Sequence, residues 1–158
     1  MYLHLLKQLK KGVIMTEILN GPLFSEQIAA DSAKLVQDGI IIPMMESGQV
    51  KRKHLHIVVG DIYGNVIYEF SFKTSENWEY PYQEIALSKF DLTVEHAMPT
   101  SIIQKLYPGL NLGITPYFGS AIDRGIVVAC SGVDAEHDEM FAKCIVAGIR
   151  SRILLAAK

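Results

Sequence analysis

Ile126-Val127-Val128-Ala129-Cys130-Ser131-Gly132-Val133-Asp134 is the stretch on which the fold of this chain turns. Its apolar part does not alternate with polar residues, so the strand it forms is expected to be covered on both faces; a half-exposed strand shows period two. Ser131-Gly132 then marks a turn, and Asp134 is a good helix N-cap. Beyond it Phe141, Ile145, Gly148, Arg152 and Ala156, flanked by Cys144, Ile149 and Ile153, recur at three- and four-residue spacing. Glu139, Lys143 and Arg150 fall on the other side, which predicts a long carboxy-terminal helix with one buried face. Glu136, Asp138 and Glu139 place negative charge in its first turn, where the helix dipole favours it. A central strand feeding a last helix is the frame to which the other segments are fitted.

Upstream, Leu55, Ile57 and Val59 alternate with His54, His56 and Val58, and Val66, Tyr68, Phe70 and Phe72 alternate with Glu69 and Ser71. With Asp61-Ile62-Tyr63-Gly64-Asn65 between them, they read as a hairpin with one core face and one partly polar face. Residues 24–38 form an earlier helix, capped by Ser25, with Ile28, Ser32, Leu35 and Val36 along one side and Gly39 as its terminating glycine. Ile40-Ile41-Ile42 is strand-like but interrupted by Pro43, and Glu46-Ser47-Gly48-Gln49 reads as a solvated loop. Lys51-Arg52-Lys53 follows it; such a run is usually a wet face, with an anionic-ligand role as the alternative. A polar connection carrying Trp78 leads to Pro81, at the first turn of a middle helix reaching about Met98.

On that helix Gln83, Ala86, Leu87, Phe90, Val94 and Met98 form the principal apolar face, with Glu84, Asp91 and Glu95 as an acidic edge. Ile85, Lys89, Leu92 and His96 form a second stripe nearly opposite. Apolar groups on two sides predict covering on two sides, by a ligand or a second subunit. Residues 100–125 carry Pro108, Gly109, Gly113, Pro116, Gly119 and Gly125, and are expected to be a ligand-binding loop with a short strand around Tyr117 to Ala121, turning back at Asp123-Arg124-Gly125.

The 158 residues suffice for one core-bearing domain, here set at 24–158 behind an N-terminal extension at 1–23. A formal charge of −2 shows no electrostatic footprint for nucleic acid. Cys130 and Cys144 look like buried thiols and not like a disulfide framework, which makes a cytoplasmic location the default. Leu3, Leu5, Leu6 and Leu9 with Lys7, Lys10 and Lys11 can form a short basic amphipathic helix, too short to span a bilayer and with the charge order of a secretory signal reversed. A surface-binding role, an extra packed helix and a natural start at Met15 all stay open, and no membrane partner is expected.

Three motifs in order carry a family resemblance. They are Ser131-Gly132-Val133-Asp134-Ala135-Glu136-His137-Asp138-Glu139 after the apolar strand, Val58-Val59-Gly60-Asp61-Ile62-Tyr63-Gly64-Asn65-Val66, and Ile85-Ala86-Leu87-Ser88-Lys89-Phe90 followed by Met98-Pro99-Thr100. Together they resemble the GlcG/HbpS-like family, also called the haem-degrading-domain family, over roughly residues 25 to 156. The resemblance implies an α+β, profilin-like fold with an antiparallel five-stranded sheet flanked by helices, and assembly into homo-oligomers. Some relatives bind haem, and related domains are fused to corrinoid adenosyltransferases or encoded beside glycolate- or diol-utilisation enzymes. The haem-ligating histidine of some relatives lies in the amino-terminal helix, where residues 25–38 of this chain hold none.

The residues themselves offer limited chemistry. His54 and His56 share a strand face, but spacing supplies no third metal ligand, so structural or solvated roles are favoured and no metal is expected. Asp134, His137 and Asp138 suit a helix cap better than a cation site. The Ser131-Gly132 turn can present amides to an anion, although the neighbouring carboxylates oppose it. No nucleophile elbow, phosphate-cradling loop, dinucleotide fingerprint or histidine-pair zinc motif is present. Two functions stay open: a small-ligand-binding accessory protein, with haem or another tetrapyrrole as ligand, and a small enzyme acting on a carbonyl or hydroxy-acid metabolite. The expected pocket lies where the second stripe of the middle helix meets the Asn111 to Gly119 loop and the Ser131-Gly132 turn, with Lys89, His96, Tyr117, Ser131, Gly132 and Asp138 about it. An ammonium among apolar neighbours needs an anionic partner, from a ligand or from Asp138, unless it reaches solvent or seals a subunit contact.

Overall fold

A computed structural model describes residues 24–72, 80–111 and 117–156. The expectations for residues 1–23, for Trp78 and for most of the Asn111 to Gly119 loop fall outside them. The first helix, α1 (Glu26–Val36), starts as expected, with Ser25 Oγ accepting the Ile28 amide at 3.2 Å. Gly39 does not end it. The helical path widens into a π-helical turn at Gln37–Ile41 and continues as α2 (Ile42–Glu46), with Gly48 beyond its end. Pro43 explains the detour, because a proline inside a helix has no N–H to give and its ring crowds the preceding turn. The wider turn lets the Ile42 amide reach Gln37 O instead.

The strands β1 (Leu55–Asp61), β2 (Val66–Phe72), β3 (Ser120–Asp123) and β4 (Ile126–Ser131) form one antiparallel sheet in the order β2-β1-β4-β3. The chain is therefore α+β, with a four-stranded antiparallel sheet flanked by helices; a fifth strand is not formed among the described residues. Asp61 builds the first turn, its Oδ1 accepting the Tyr63 and Asn65 amides at 2.9 and 3.0 Å. The second hairpin turns on Arg124 (φ 49°) and Gly125 (φ 83°), both left-handed as a two-residue turn matched to strand twist requires.

Between them run α3 (Tyr82–His96) and α4 (Thr100–Leu106), and α5 (Ala135–Ala156) closes the chain. The order helix, hairpin, helix, remaining strands, last helix is the one expected. α4 stands where a loop was expected. Pro99 precedes it and Pro108 follows it, so these prolines bracket a helix that their density disguises.

β4 is buried along its whole length, as its composition requires. On one face α5 and α1 cover Leu55, Ile57, Val59, Val128 and Cys130. On the other, α3 sets Ala86 and Phe90 against Val58, Val127 and Ala129. The coverage that β4 needs on both faces is thus supplied inside one chain. Nor does α3 carry two opposed stripes: its buried residues are Tyr82, Ala86, Lys89, Phe90 and Thr93, a face that runs between the two and takes members of both.

Candidate functional site

The site is built where β4 ends. Gly132 brings the chain so close to the start of β1 that a Cβ there would lie 2.5 Å from His54 O. The turn this permits aims the Gly132 and Val133 amides inward, at the first turn of α5. Asp134 caps that helix, its Oδ1 accepting the His137 amide at 2.9 Å and its Oδ2 meeting His137 Nδ1 at 2.7 Å. Partial burial pushes its carboxyl up, but the His137 amide and ring, with the Glu136 amide, together hold it below the usual value.

Asp138, one turn on, points inward and is only 3% exposed. It accepts the Val133 amide at 3.1 Å and the Gly132 amide at 3.3 Å, and it faces Lys89 Nζ at 3.4 Å. The turn that the sequence offers to an anion is thus occupied by the protein's own carboxylate. Lys89, 1% exposed, reaches over from α3 and also donates to Cys130 O at 2.8 Å. Both charges have lost their water. Burial pushes Asp138 up to about 6 and draws Lys89 below the ordinary ammonium value, while their attraction for each other acts the opposite way on each. Gly119 roofs the pair, since a Cβ there would lie 2.7 Å from both Lys89 Nζ and Cys130 O.

A buried hydroxyl network fixes that roof. Thr93 Oγ1 donates to Lys89 O at 2.7 Å and lies 2.7 Å from Ser120 Oγ; Ser120 Oγ accepts the Thr100 amide at 2.9 Å, and Thr100 Oγ1 accepts the Gly119 amide at 3.0 Å. Helix α3, the first residue of α4 and the start of β3 are thereby tied together beside the ion pair. A second polar device lies further across the same sheet face. The His56 ring, 2% exposed, has Nδ1 2.7 Å from Ser71 Oγ and Nε2 2.7 Å from Glu69 Oε1, and Gln83 Nε2 donates to the same Glu69 oxygen at 3.1 Å. Because a carboxylate only accepts, it is Nε2 that donates to Glu69. His56 is a structural cross-strand histidine, the favoured role. The ring of His54 packs on Tyr82, 4.5 Å between centroids.

Over the ion pair opens a cavity of about 760 Å³. Of the residues singled out from sequence, Lys89, Tyr117, Ser131, Gly132 and Asp138 line it. His96 does not: near the far end of α3 its ring stacks on Tyr107, 6.2 Å between centroids. The sequence also left out part of the wall. Tyr80 and Tyr82, edge to face at 6.0 Å, and Val50, Lys51 and Arg52 belong to it, with the Arg52 guanidinium 5.8 Å from the Tyr80 ring centroid. The Tyr-Pro-Tyr sequence at the start of α3 was the available signal, being aromatic on both sides of a helix-starting proline.

The fold belongs to a known class of domain. The chain has the GlcG/HbpS-like fold that its three motifs suggest, shown by likeness to solved structures at low identity. Klebsiella pneumoniae protein ORFY, a DUF336 structure, superposes with TM-score 0.57 at 20% identity over 82% of this chain and 90% of that one. HbpS superposes with TM-score 0.56 at 18% identity over 78% and 88%, and the Ybr137w protein with TM-score 0.58 at 10% identity over 80% and 78%. No protein-family model matches the chain, and no curated protein matches it in sequence. Among the described residues no helix is long and apolar enough to cross a membrane.

Proposed function

We propose that this chain is a small-ligand-binding accessory protein of the GlcG/HbpS type, with haem or another tetrapyrrole as the first ligand to try. The observation that carries this is the cavity over the Lys89–Asp138 pair, walled by Tyr80, Tyr82, Ile85 and Phe118. Its deepest ionisable groups hold one another and the backbone, an arrangement that shapes a polar floor and leaves neither group poised as nucleophile or base. The lining suits a flat apolar body. For iron it offers the phenols of Tyr80, Tyr82 and Tyr117, one of the ligand types iron accepts in haem proteins, and among the described lining residues no histidine. Bound haem would supply ligand exchange and electron transfer at its iron; the tyrosines would hold it and exclude water. A homo-oligomer and a cytoplasmic location stay part of the proposal on the resemblance and on the cysteine pattern, and light scattering at micromolar concentration tests the first.

Titrating the protein with haemin gives the direct test. A Soret shift that saturates at a stoichiometric ratio, and is lost in Tyr82→Ala with the fold intact by circular dichroism, is expected. An unchanged Soret band, together with turnover of small hydroxy or keto acids, would replace binding by catalysis.

A further inference from the structure

The cavity has a charge problem whose solution names its ligand more closely. Its lining holds three cations, Lys51, Arg52 and Lys89. Lys89 is spent: its ammonium is engaged by Cys130 O and Asp138 and roofed by Gly119. Asp138 is spent likewise, on Lys89 and two amides. A ligand charge brought to this depth would have to break the pair, leaving a buried ion without its partner.

Lys51 and Arg52 stand differently. Both are exposed at the mouth, and among the described residues neither forms an ion pair with a carboxylate. The Tyr80 ring holds the Arg52 guanidinium beside the opening through a cation–π contact, which settles its position without neutralising it. The remaining charged lining residues, Asp134 and Glu136, are acidic, and Asp134 is fixed by its helix cap. The lining therefore holds two uncommitted cations, one of them against the aromatic wall, beside its acidic residues.

Resting on the cavity being a ligand site, the geometry points to a ligand with a planar apolar body and a carboxylate, sulfonate or phosphate group, the body lying on Tyr80 and Tyr82 and the anion held by Lys51 and Arg52. The run Lys51-Arg52-Lys53 then divides by role: the first two residues bind and Lys53, outside the lining, does not.

Two probes with the same aromatic body separate this inference from the one beneath it. 1-Anilinonaphthalene-8-sulfonate carries an anion, and N-phenyl-1-naphthylamine lacks it; both report binding by fluorescence. The full chain should bind the sulfonate about tenfold more tightly, as two rim cations allow, and the preference should shrink as salt is raised. In Lys51→Met/Arg52→Met the preference should vanish while the neutral probe binds as before. Lys53→Met is the control for net charge and should leave the preference intact. Equal affinities in the unaltered protein, or an equal loss in Lys53→Met, would overturn the anion site and leave the cavity standing. Failure of both probes to bind would overturn the cavity as a ligand site, and this inference with it.

Discussion

The two faces of the sheet are built from opposite materials. Against α5 and α1 lies a continuous apolar core in which Phe141, Ile145 and Ile149 meet Leu55, Ile57, Val59 and Val128, all without exposure. Between the sheet and α3 the apolar cluster is small, and Lys89, Thr93, Thr100, Ser120 and His56 are buried beside it. The first face resembles an ordinary protein interior, where burial of apolar area drives folding. On the second, every buried polar group must find a partner to avoid a net loss. Such a layer is a poor way to gain stability and a good way to fix the walls of a cavity, which is where the cavity opens.

The comparison predicts unequal responses. Phe141→Ala, on the apolar face, should cost the most, about 3–5 kcal/mol in denaturant unfolding, since the gap it leaves is enclosed on all sides. A loss below 1 kcal/mol would mean that this face is not the main core.

The polar face should respond to pH instead. Asp138 holds its proton up to about 6 in the folded chain, against an ordinary 3.8. Between those values the folded state binds more protons than the unfolded one, so this carboxyl's contribution makes stability fall as pH rises from about 4 to 6, by up to about 3 kcal/mol. Subtracting the same curve for Asp138→Asn isolates it; a difference that is flat across the window would show that the carboxyl titrates normally. Gly119→Ala should be milder, about 1–3 kcal/mol, because the new methyl forces a shift of the backbone beside the Lys89–Asp138 pair. It should leave the apolar face undisturbed, as hydrogen exchange of α5 amides would report.

Each face was legible in the sequence to a different degree. Periodicity announced α5 and the first hairpin because an apolar face against a sheet repeats at a fixed interval. The middle helix defeated the same method: Tyr82 and Thr93 count as polar in a hydropathy pattern, so its buried face was split into two false stripes. Asp138 sits where acids serve the helix dipole, and only the turn of Gly132 and Val133 shows that it faces inward. Lys89 was recognised as a residue in need of an anion, with Asp138 among the choices. α4 stayed hidden behind prolines and glycines, and Lys51-Arg52, for which the sequence offered an anionic-ligand role only as the alternative to a wet face, was not placed at the cavity. Polar interiors are specified by pairs distant in sequence, here 89 with 138 and 93 with 120, and no local period records them.

The claim that the polar face is organised around one mutually neutralised pair is tested most directly by a double-mutant cycle. Lys89→Met should cost about 2–3 kcal/mol at pH 7, because it strands the Asp138 carboxylate in the interior, and Asp138→Asn about 1–2 kcal/mol, because burial already favours a neutral group there while the Lys89 ammonium is left with Cys130 O alone. The double variant Lys89→Met/Asp138→Asn should recover most of that and fall within about 1 kcal/mol of the unaltered chain, giving a large coupling energy. Losses in the double variant equal to the sum of the two singles would contradict the account.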